Sequence, residues 1–218
     1  MKVAIVTDST SDIPISIAKE RRITIVPLHI QWGNESLTDG VDITPAVFYE
    51  RLPTATVMPT TSQPSAGEFV EKFKQAREQE GADGIVCITL SKAVSGTYAS
   101  AEAAIGMVDF PVKLVDSRTA SLALGYTAMA AADARDQGKS MDEIASIADA
   151  AAKRTAILFT CNTLEYLHRG GRIGGAKRFI GTALNIKPIL HVKDGQVAAL
   201  ESVRTRKKAV QRLVVRRG

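Results

Sequence analysis

The sequence predicts an α/β fold: a Rossmann-like parallel sheet with helices on both faces, followed by a smaller α+β second domain. Short apolar runs alternate with helix-forming segments over the first two thirds of the chain, which is typical of a parallel sheet covered on both sides. The last third instead carries a glycine-dense segment and Asp194-Gly195, a dipeptide typical of tight hairpins. We therefore predict an α/β domain over 1–155 and a partial second domain, with a basic C-terminal helix, over 156–218.

Local signals predict each element of the first domain. Val3 to Thr7 opens the chain as a buried strand, and the run 23–30 is rich in the β-branched residues that favour strands. Pro14 and Thr44-Pro45 are typical of helix starts, and Ser65 with Glu68 fits a capping box. Further strands are predicted over 84–90, 111–115 and 156–160, further helices over 98–107, 119–137 and 141–152, and a loop over 54–63.

The second domain has fewer periodic sequence patterns than the first. One helical turn is predicted over 164–168, a loop over 170–175 and an apolar helix from Ala176 to Leu184. Two strands, 186–191 and 196–203, flank the Asp194-Gly195 turn, and Thr205 is predicted to cap the basic helix that follows.

Charge is distributed unevenly along the 218 residues. Residues 1–152 carry 13 basic and 20 acidic side chains, whereas residues 153–218 carry 15 basic and 3 acidic ones. The basic part could contact nucleic acid, an acidic protein or an anionic ligand, or be a solvated helix face. No apolar run reaches the ~20 residues that span a bilayer, and the N-terminus lacks a signal-peptide pattern, so a cytoplasmic protein without a transmembrane segment is predicted.

No catalytic, metal-binding or cofactor-binding pattern is found. The three histidines are scattered, no P-loop or nucleophile elbow occurs, and the Gly170–Gly175 run does not fit a dinucleotide fingerprint. Cys87 and Cys161 lie in apolar runs and are predicted to be buried core thiols. We therefore predict no catalytic residue, no metal and no cofactor.

Three hydroxyl-rich segments favour anion binding instead. They are predicted to follow strands or open helices and comprise Asp8–Ser11, Thr60–Ser62 and Ser91–Thr97. Ligands of open α/β sheets bind outside the carboxyl ends of the strands, where helix N-termini offer free N–H groups. A carboxylate or phosphate would fit there, although serine and threonine also favour helix starts simply as caps.

At five places the sequence resembles the DegV family. The resembling segments are Val3–Asp12, Pro59–Ser65, Ser95–Ala101, Gly170–Gly174 with Leu184–Leu190, and Val203–Ala209. They occur in the family's order along nearly the whole chain. The resemblance implies a non-enzymatic protein that holds one long-chain fatty acid in a tunnel between its two domains and presents the carboxylate to a separate fatty acid kinase, which forms an acyl phosphate for phospholipid synthesis.

The resemblance also implies the site residues. The fatty acid carboxylate would be bound by six residues, Thr61, Ser62, Ser91, Ser95, Gly96 and Arg172. The basic residues Arg204, Arg206 and Lys208 would dock the kinase. Ala-rich helices and the helix around Phe179-Ile180 would supply walls for the acyl chain.

Two departures from the family pattern are visible. Ser91-Lys92 stands where the family usually has paired serines, so the lysine could neutralise the anion instead. Family members also continue beyond the position of Gly218 with a segment that carries a histidine beside the carboxylate. The second domain is therefore expected to be C-terminally truncated, with an edge that a partner chain could complete.

Two other classes of function compete with lipid binding. A phosphoryl-transfer enzyme related to dihydroxyacetone-kinase-like proteins would need a Mg²⁺-binding carboxylate cluster beside a phosphate loop, which the sequence does not show. Nucleic-acid binding through the basic tail would need aromatic stacking platforms, and no aromatic residue lies between Val192 and Gly218.

Overall fold

The computed structural model describes residues 1–180 and 186–215. The chain forms two compact units, Met1–Thr155 and a second that begins at Ala156. The strands are β1 Val3–Asp8, β2 Ile23–Val26, β3 His29–Trp32, β4 Glu35–Thr38, β5 Thr60–Ser62, β6 Gly84–Thr89, β7 Val112–Asp116, β8 Leu158–Thr160, β9 Lys187–Lys193 and β10 Gln196–Val203. The helices are α1 Ile15–Glu20, α2 Pro45–Arg51, α3 Ala66–Glu80, α4 Thr97–Ile105, α5 Ser121–Asp136, α6 Met141–Arg154, α7 Glu165–Arg169 and α8 Arg206–Val215.

A parallel four-stranded sheet in the order β2-β1-β6-β7 forms the centre of the first unit. Alternate residues of β1 face opposite sides, so Ile5 packs with α1, α5 and α6 while Val6 packs with α3 and α4. Both faces of the sheet are therefore covered by helices, which confirms the predicted fold class. The capping box of Ser65 and Glu68 is present at the start of α3.

The predicted strand 23–30 is wrong, because the chain changes sheets within it. Strand β2 ends at Val26, and β3 begins at His29 in a separate antiparallel sheet of order β4-β3-β5. Pro27 lies at the break, where it has no N–H to continue the ladder. The loop predicted over 54–63 is also wrong at 60–62, since β5 pairs with β3 there. Three residues are too few to show a period in the sequence.

The second unit contains an antiparallel sheet of order β10-β9-β8. Strand β8 pairs with β9 and does not extend the parallel sheet of the first unit. The predicted hairpin is confirmed: Asp194 and Gly195 have φ of 51° and 79°, as a type I′ turn requires. The α-helix predicted over 176–184 is wrong up to Phe179, because the structure has a 3₁₀ turn over Gly174–Phe179 instead. Residues 181–185 of the predicted helix lie outside the described residues.

The 3₁₀ turn covers the edge strand β10 of this sheet. The guanidinium of Arg178 donates hydrogen bonds to the carbonyls of Ala199 and Leu200, at 2.8 and 3.2 Å. Gly174 approaches the same strand so closely that an added Cβ would lie 2.2 Å from the carbonyl oxygen of Val197. The edge that the sequence left open to a partner strand is therefore covered on the β10 side by the chain itself.

Of the two cysteines, Cys87 is buried in β6, as predicted, whereas Cys161 is only half-buried and packs against the core of the second unit. Cys161 directly follows β8, and the hydrophobic core of the second unit is smaller than the two that pack on the parallel sheet of the first unit. Both cysteines are free.

Candidate functional site

The carboxyl ends of β1, β6 and β7 lie side by side in the parallel sheet, and each continues into a polar turn. Ser91, just after β6, donates its backbone N–H to the carbonyl of Thr119 at 2.8 Å. The backbone N–H of Lys92 donates to Oδ1 of Asp116, the last residue of β7, at 3.3 Å. The segment Ser91–Thr97 is thereby attached to the turn that follows β7.

This segment ends at the amino end of α4, where hydroxyl groups cluster. The hydroxyl oxygens of Ser95 and Thr97 lie 2.9 Å apart, and the backbone N–H of Thr97 donates to Ser95 Oγ at 3.2 Å. Gly96 occupies the N-cap position and makes no side-chain cap of its own, so Ser95 Oγ is the hydroxyl that accepts from the first N–H of the helix. Since helix N-termini carry partial positive charge, the amino end of α4 is suited to an anion.

The second hydroxyl-rich segment forms β5 and meets the first through Gln63. Thr61 lies opposite Ile30 of β3, and Ser62 lies opposite His29, so the side chains of Thr61 and Ser62 face opposite sides of the small sheet. The Gln63 carboxamide rests against Gly96, where an added Cβ would lie 2.8 Å from Gln63 Nε2. The structure thus brings the segments of Thr61 and Ser95 together, through a glutamine that the sequence did not single out.

Asp8 holds the third segment in place from the end of β1. Its Oδ2 accepts from the backbone N–H of Leu90 at 2.7 Å, and its Oδ1 accepts from the backbone N–H and hydroxyl of Thr10 at 3.0 and 2.5 Å. Ser9 Oγ accepts from the backbone N–H of Leu28 at 3.0 Å. The hydroxyl-rich turn after β1 therefore holds neighbouring segments together, a role that its composition did not indicate.

Burial raises the pKa of Asp8 to about 6 from its ordinary 3.8, because desolvation of the carboxylate and the nearby charge of Asp39 outweigh the hydrogen bonds from Thr10 and Leu90. An ionisable group whose pKa is higher in the folded than in the unfolded state contributes to stability when it is protonated. This contribution is complete below the unfolded-state pKa and is lost as the pH rises through the folded-state pKa. Asp8 therefore costs the protein stability above about pH 6.

Replacing Asp8 by asparagine should remove this pH dependence. We expect the free energy of unfolding of the variant, relative to wild type, to shift by about 2–3 kcal/mol in favour of asparagine between about pH 4 and pH 8. Urea unfolding followed by the fluorescence of Trp32 measures it. Asp42→Asn is the control: the carboxylate of Asp42 accepts from the backbone N–H of Thr38, which lowers its pKa, so its pH trend has the opposite sign and falls mainly below about pH 4. A difference between Asp8→Asn and wild type that does not change with pH would contradict this account.

Several other polar groups surround the sheet end. The ammonium of Lys92 lies 5.3 Å from the ring centroid of Tyr98, a cation–π contact on the helix that follows. His29 Nε2 lies 2.7 Å from Glu68 Oε1, on the face of β3 that Ser62 shares. The hydroxyls of Thr7 and Thr89 are buried and have no hydrogen-bond partner among residues 1–180 and 186–215. Their positions near the strand ends give the site further polar groups.

The remaining predicted site residues lie in the second unit, and all four are exposed: Arg172, Arg204, Arg206 and Lys208. Arg172 donates to the carbonyl of Gly170 at 2.6 Å, and Arg206 donates to Oδ1 of Asn162 at 2.7 Å. Thr205 caps α8, as predicted, by accepting from the N–H of Lys208. Arg204 therefore precedes the helix, whereas Lys208 lies within it.

Among residues 1–180 and 186–215, no group of three or more His, Cys, Asp or Glu side chains could hold a metal ion. No helix in this part of the chain is long and apolar enough to cross a membrane.

Solved structures share this fold over nearly the whole chain. A Thermus thermophilus protein described as a fatty-acid-binding DegV family protein is 35% identical, with a TM-score of 0.91, and the match covers 99% of this chain and 76% of that one. Bacillus subtilis DegV, described as a fatty acid binding protein, is 35% identical with a TM-score of 0.87 at the same coverage. A stearic-acid-binding protein from Eubacterium ventriosum is 30% identical, with a TM-score of 0.89, again at 99% and 76% coverage.

Sequence comparison gives the same family. A DegV domain-containing protein of Streptomyces coelicolor is 40% identical over 211 residues, which are 97% of this chain and 74% of the relative. The model of a family described as "Uncharacterised protein, DegV family" matches residues 2–216. The resemblance seen in the five sequence segments is thereby confirmed, and the chain belongs to the DegV family.

Proposed function

We propose that this protein binds a long-chain fatty acid, without catalysis of its own, and presents the carboxylate to a separate fatty acid kinase. The observation that carries the proposal is the meeting of two hydroxyl-rich segments at the amino end of α4. Three structures of the same fold, at 30 to 35% identity, are described as fatty-acid-binding proteins.

The carboxylate would be bound by Thr61 from β5 and by the Ser91–Gly96 segment. Hydroxyl and backbone N–H donors suit a carboxylate because hydrogen bonds to a charged group are stronger than neutral ones. Ser95 and Gly96 lie at the amino end of α4, where the helix dipole adds to the attraction. Ser62 and Arg172 remain predicted ligands; Ser62 faces the opposite side of the small sheet from Thr61.

Apolar side chains near this end of the sheet would receive the acyl chain. Leu122 and Tyr126 are 47% and 59% exposed, and they lie four residues apart in the first turns of α5, on one helix face. The helix begins just after Thr119, whose carbonyl accepts from Ser91. Most alanines of α5 and α6 pack in the core of the first unit instead, so few of them are free to line a ligand. That the acyl chain lies in a tunnel between two domains stays a prediction.

The first test of this proposal is the lipid content of the purified protein. We expect a saturated or monounsaturated fatty acid of membrane length to co-purify, because a buried acyl chain leaves an apolar site slowly. Organic extraction followed by mass spectrometry measures its amount per protein. A folded sample that contains no fatty acid, and that also fails to bind added oleate, would contradict the proposal.

The kinase-docking role rests on the basic residues of the second unit. Arg204 and Lys208 are exposed, and the excess of basic residues after Ala152 would attract an acidic partner. We expect Arg204→Glu with Lys208→Glu to slow acyl phosphate formation by the kinase strongly at low salt, with fatty acid affinity unchanged, because charge steering mainly affects association.

The control for this charge reversal is Lys19→Glu with Lys74→Glu, which makes the same change of charge on the first unit. Equal rates of acyl phosphate formation with both double variants would show that the rate depends on net charge alone and not on the position of the basic residues. A loss of fatty acid affinity in the Arg204 and Lys208 variant would assign these residues to the ligand site instead.

A cytoplasmic location belongs to the same proposal. Both cysteines are free, and free cysteines persist in a reducing compartment. Fractionation of cells that produce the protein would test it.

A further inference from the structure

The turn after β1 is bonded to both segments of the proposed carboxylate site. On one side, Ser9 Oγ accepts from the backbone N–H of Leu28 at 3.0 Å. Leu28 is buried and directly precedes β3, the strand whose Ile30 pairs with Thr61. The hydroxyl of Ser9 thereby ties the start of the small sheet that carries Thr61 to the end of the parallel sheet.

On the other side, the neighbouring carboxylate holds the Ser91–Gly96 segment. Oδ2 of Asp8 accepts from the backbone N–H of Leu90 at 2.7 Å, and both residues are buried. Leu90 directly precedes Ser91, so this bond sets where the segment leaves β6. Adjacent residues, Asp8 and Ser9, thus each hold one of the two ligand-bearing segments.

These contacts form a closed ring. From Ser9 the ring passes through Leu28 to β3, across the β3–β5 pairing to Thr61, and on to Gln63. The carboxamide of Gln63 rests on Gly96, and the chain returns through Ser91 to Leu90 and Asp8. Because Thr61 lies in the small antiparallel sheet and Ser91 follows a strand of the parallel sheet, their separation depends on tertiary contacts such as these.

We infer that Asp8 and Ser9 are positioning residues of the carboxylate site, acting on the ligand through Thr61 and Ser91; this inference rests on the proposed function. A hydrogen bond to a carboxylate weakens steeply with poor distance or angle, and displacement of a site by about 1 Å already costs much of its function. Loss of either bond would let one ligand-bearing segment move relative to the other.

A double-mutant cycle tests this inference with wild-type protein, Ser9→Ala, Thr61→Ala and the double variant. Affinity is measured by displacement of a fluorescent fatty acid with oleate, and thermal unfolding checks that each variant is folded. We expect Ser9→Ala alone to weaken binding about threefold to tenfold. In the Thr61→Ala background the same change should cost less than about twofold, because residues that act through one another are not additive.

Ser36→Ala is the matched control. Ser36 Oγ accepts from Nε2 of Gln31 at 2.8 Å on the same small sheet, but this bond does not reach the β1 turn. Its loss should leave the affinity unchanged. An equal loss with Ser36→Ala and Ser9→Ala, or an equal effect of Ser9→Ala in both backgrounds, would overturn the inference.

A second arm uses Asp8, for which removal of the side chain could unfold the protein. Asp8→Asn keeps an oxygen that can accept from Leu90, whereas Asp8→Ala does not, so we expect asparagine to retain more affinity than alanine. If neither folded variant binds less tightly than wild type, Asp8 is not a positioning residue. If wild-type protein itself binds no fatty acid, the proposed function fails; if it binds and the cycle is additive, only the present inference fails.

Discussion

Replacing Thr61 by alanine is expected to weaken fatty acid binding by roughly tenfold to a hundredfold, because one hydrogen bond to a charged group contributes about 1.5–3 kcal/mol. The Thr61 side chain is exposed on β5, so its truncation removes no core contact and the fold should be retained. Displacement of a fluorescent fatty acid measures the affinity, and thermal unfolding shows whether stability is unchanged.

Thr60→Ala provides the matched control for this variant. Thr60 is the same residue type one position earlier on the same strand, opposite Gln31 of β3, and its side chain lies on the other face of the sheet. We expect its loss to leave the affinity unchanged. Comparison with hexadecanol, which has no carboxylate, separates the head group from the chain: Thr61→Ala should not weaken binding of the alcohol. Unchanged oleate affinity would remove Thr61 from the site.

Replacing Gly174 by alanine is expected to destabilise the second unit by about 2–5 kcal/mol, the sum of a left-handed backbone and an overpacked contact. Gly174 has a φ of +46°, and its added Cβ would lie 2.2 Å from the carbonyl oxygen of Val197. That oxygen belongs to the backbone of β10, so relief of the overlap would require the strand or the 3₁₀ turn to move. Hydrogen exchange of the β9 and β10 amides measures the loss of protection.

Gly171→Ala separates the two causes. Gly171 has a φ of +74°, yet an added Cβ there would meet no atom of the described residues within 4 Å. Alanine at Gly171 should therefore carry only the backbone cost, about 1–2 kcal/mol. If the two variants lose equal protection in β9 and β10, the close approach of Gly174 to β10 contributes nothing to stability.

The sequence by itself determined those features that depend on neighbouring residues. The Ser65 and Glu68 capping box, the Asp194-Gly195 hairpin and the Thr205 cap are each defined within a few residues, and all three are present. The buried strands β1 and β6 are predictable because both of their faces require apolar side chains. The five segments that resemble the DegV family also identified the family from sequence alone, because each is a local pattern and all occur in the family's order along the chain.

Only the tertiary structure decided how those segments meet. Strand β5 exists because β3 lies beside it, and β3 is separate from β2 because Pro27 interrupts the ladder. The bond from Leu90 to Asp8 joins residues 82 positions apart. A hydrogen bond or a close packing contact between distant residues has no period and no local composition that could reveal it, so the groups that set the geometry of the proposed site became visible only in the folded chain.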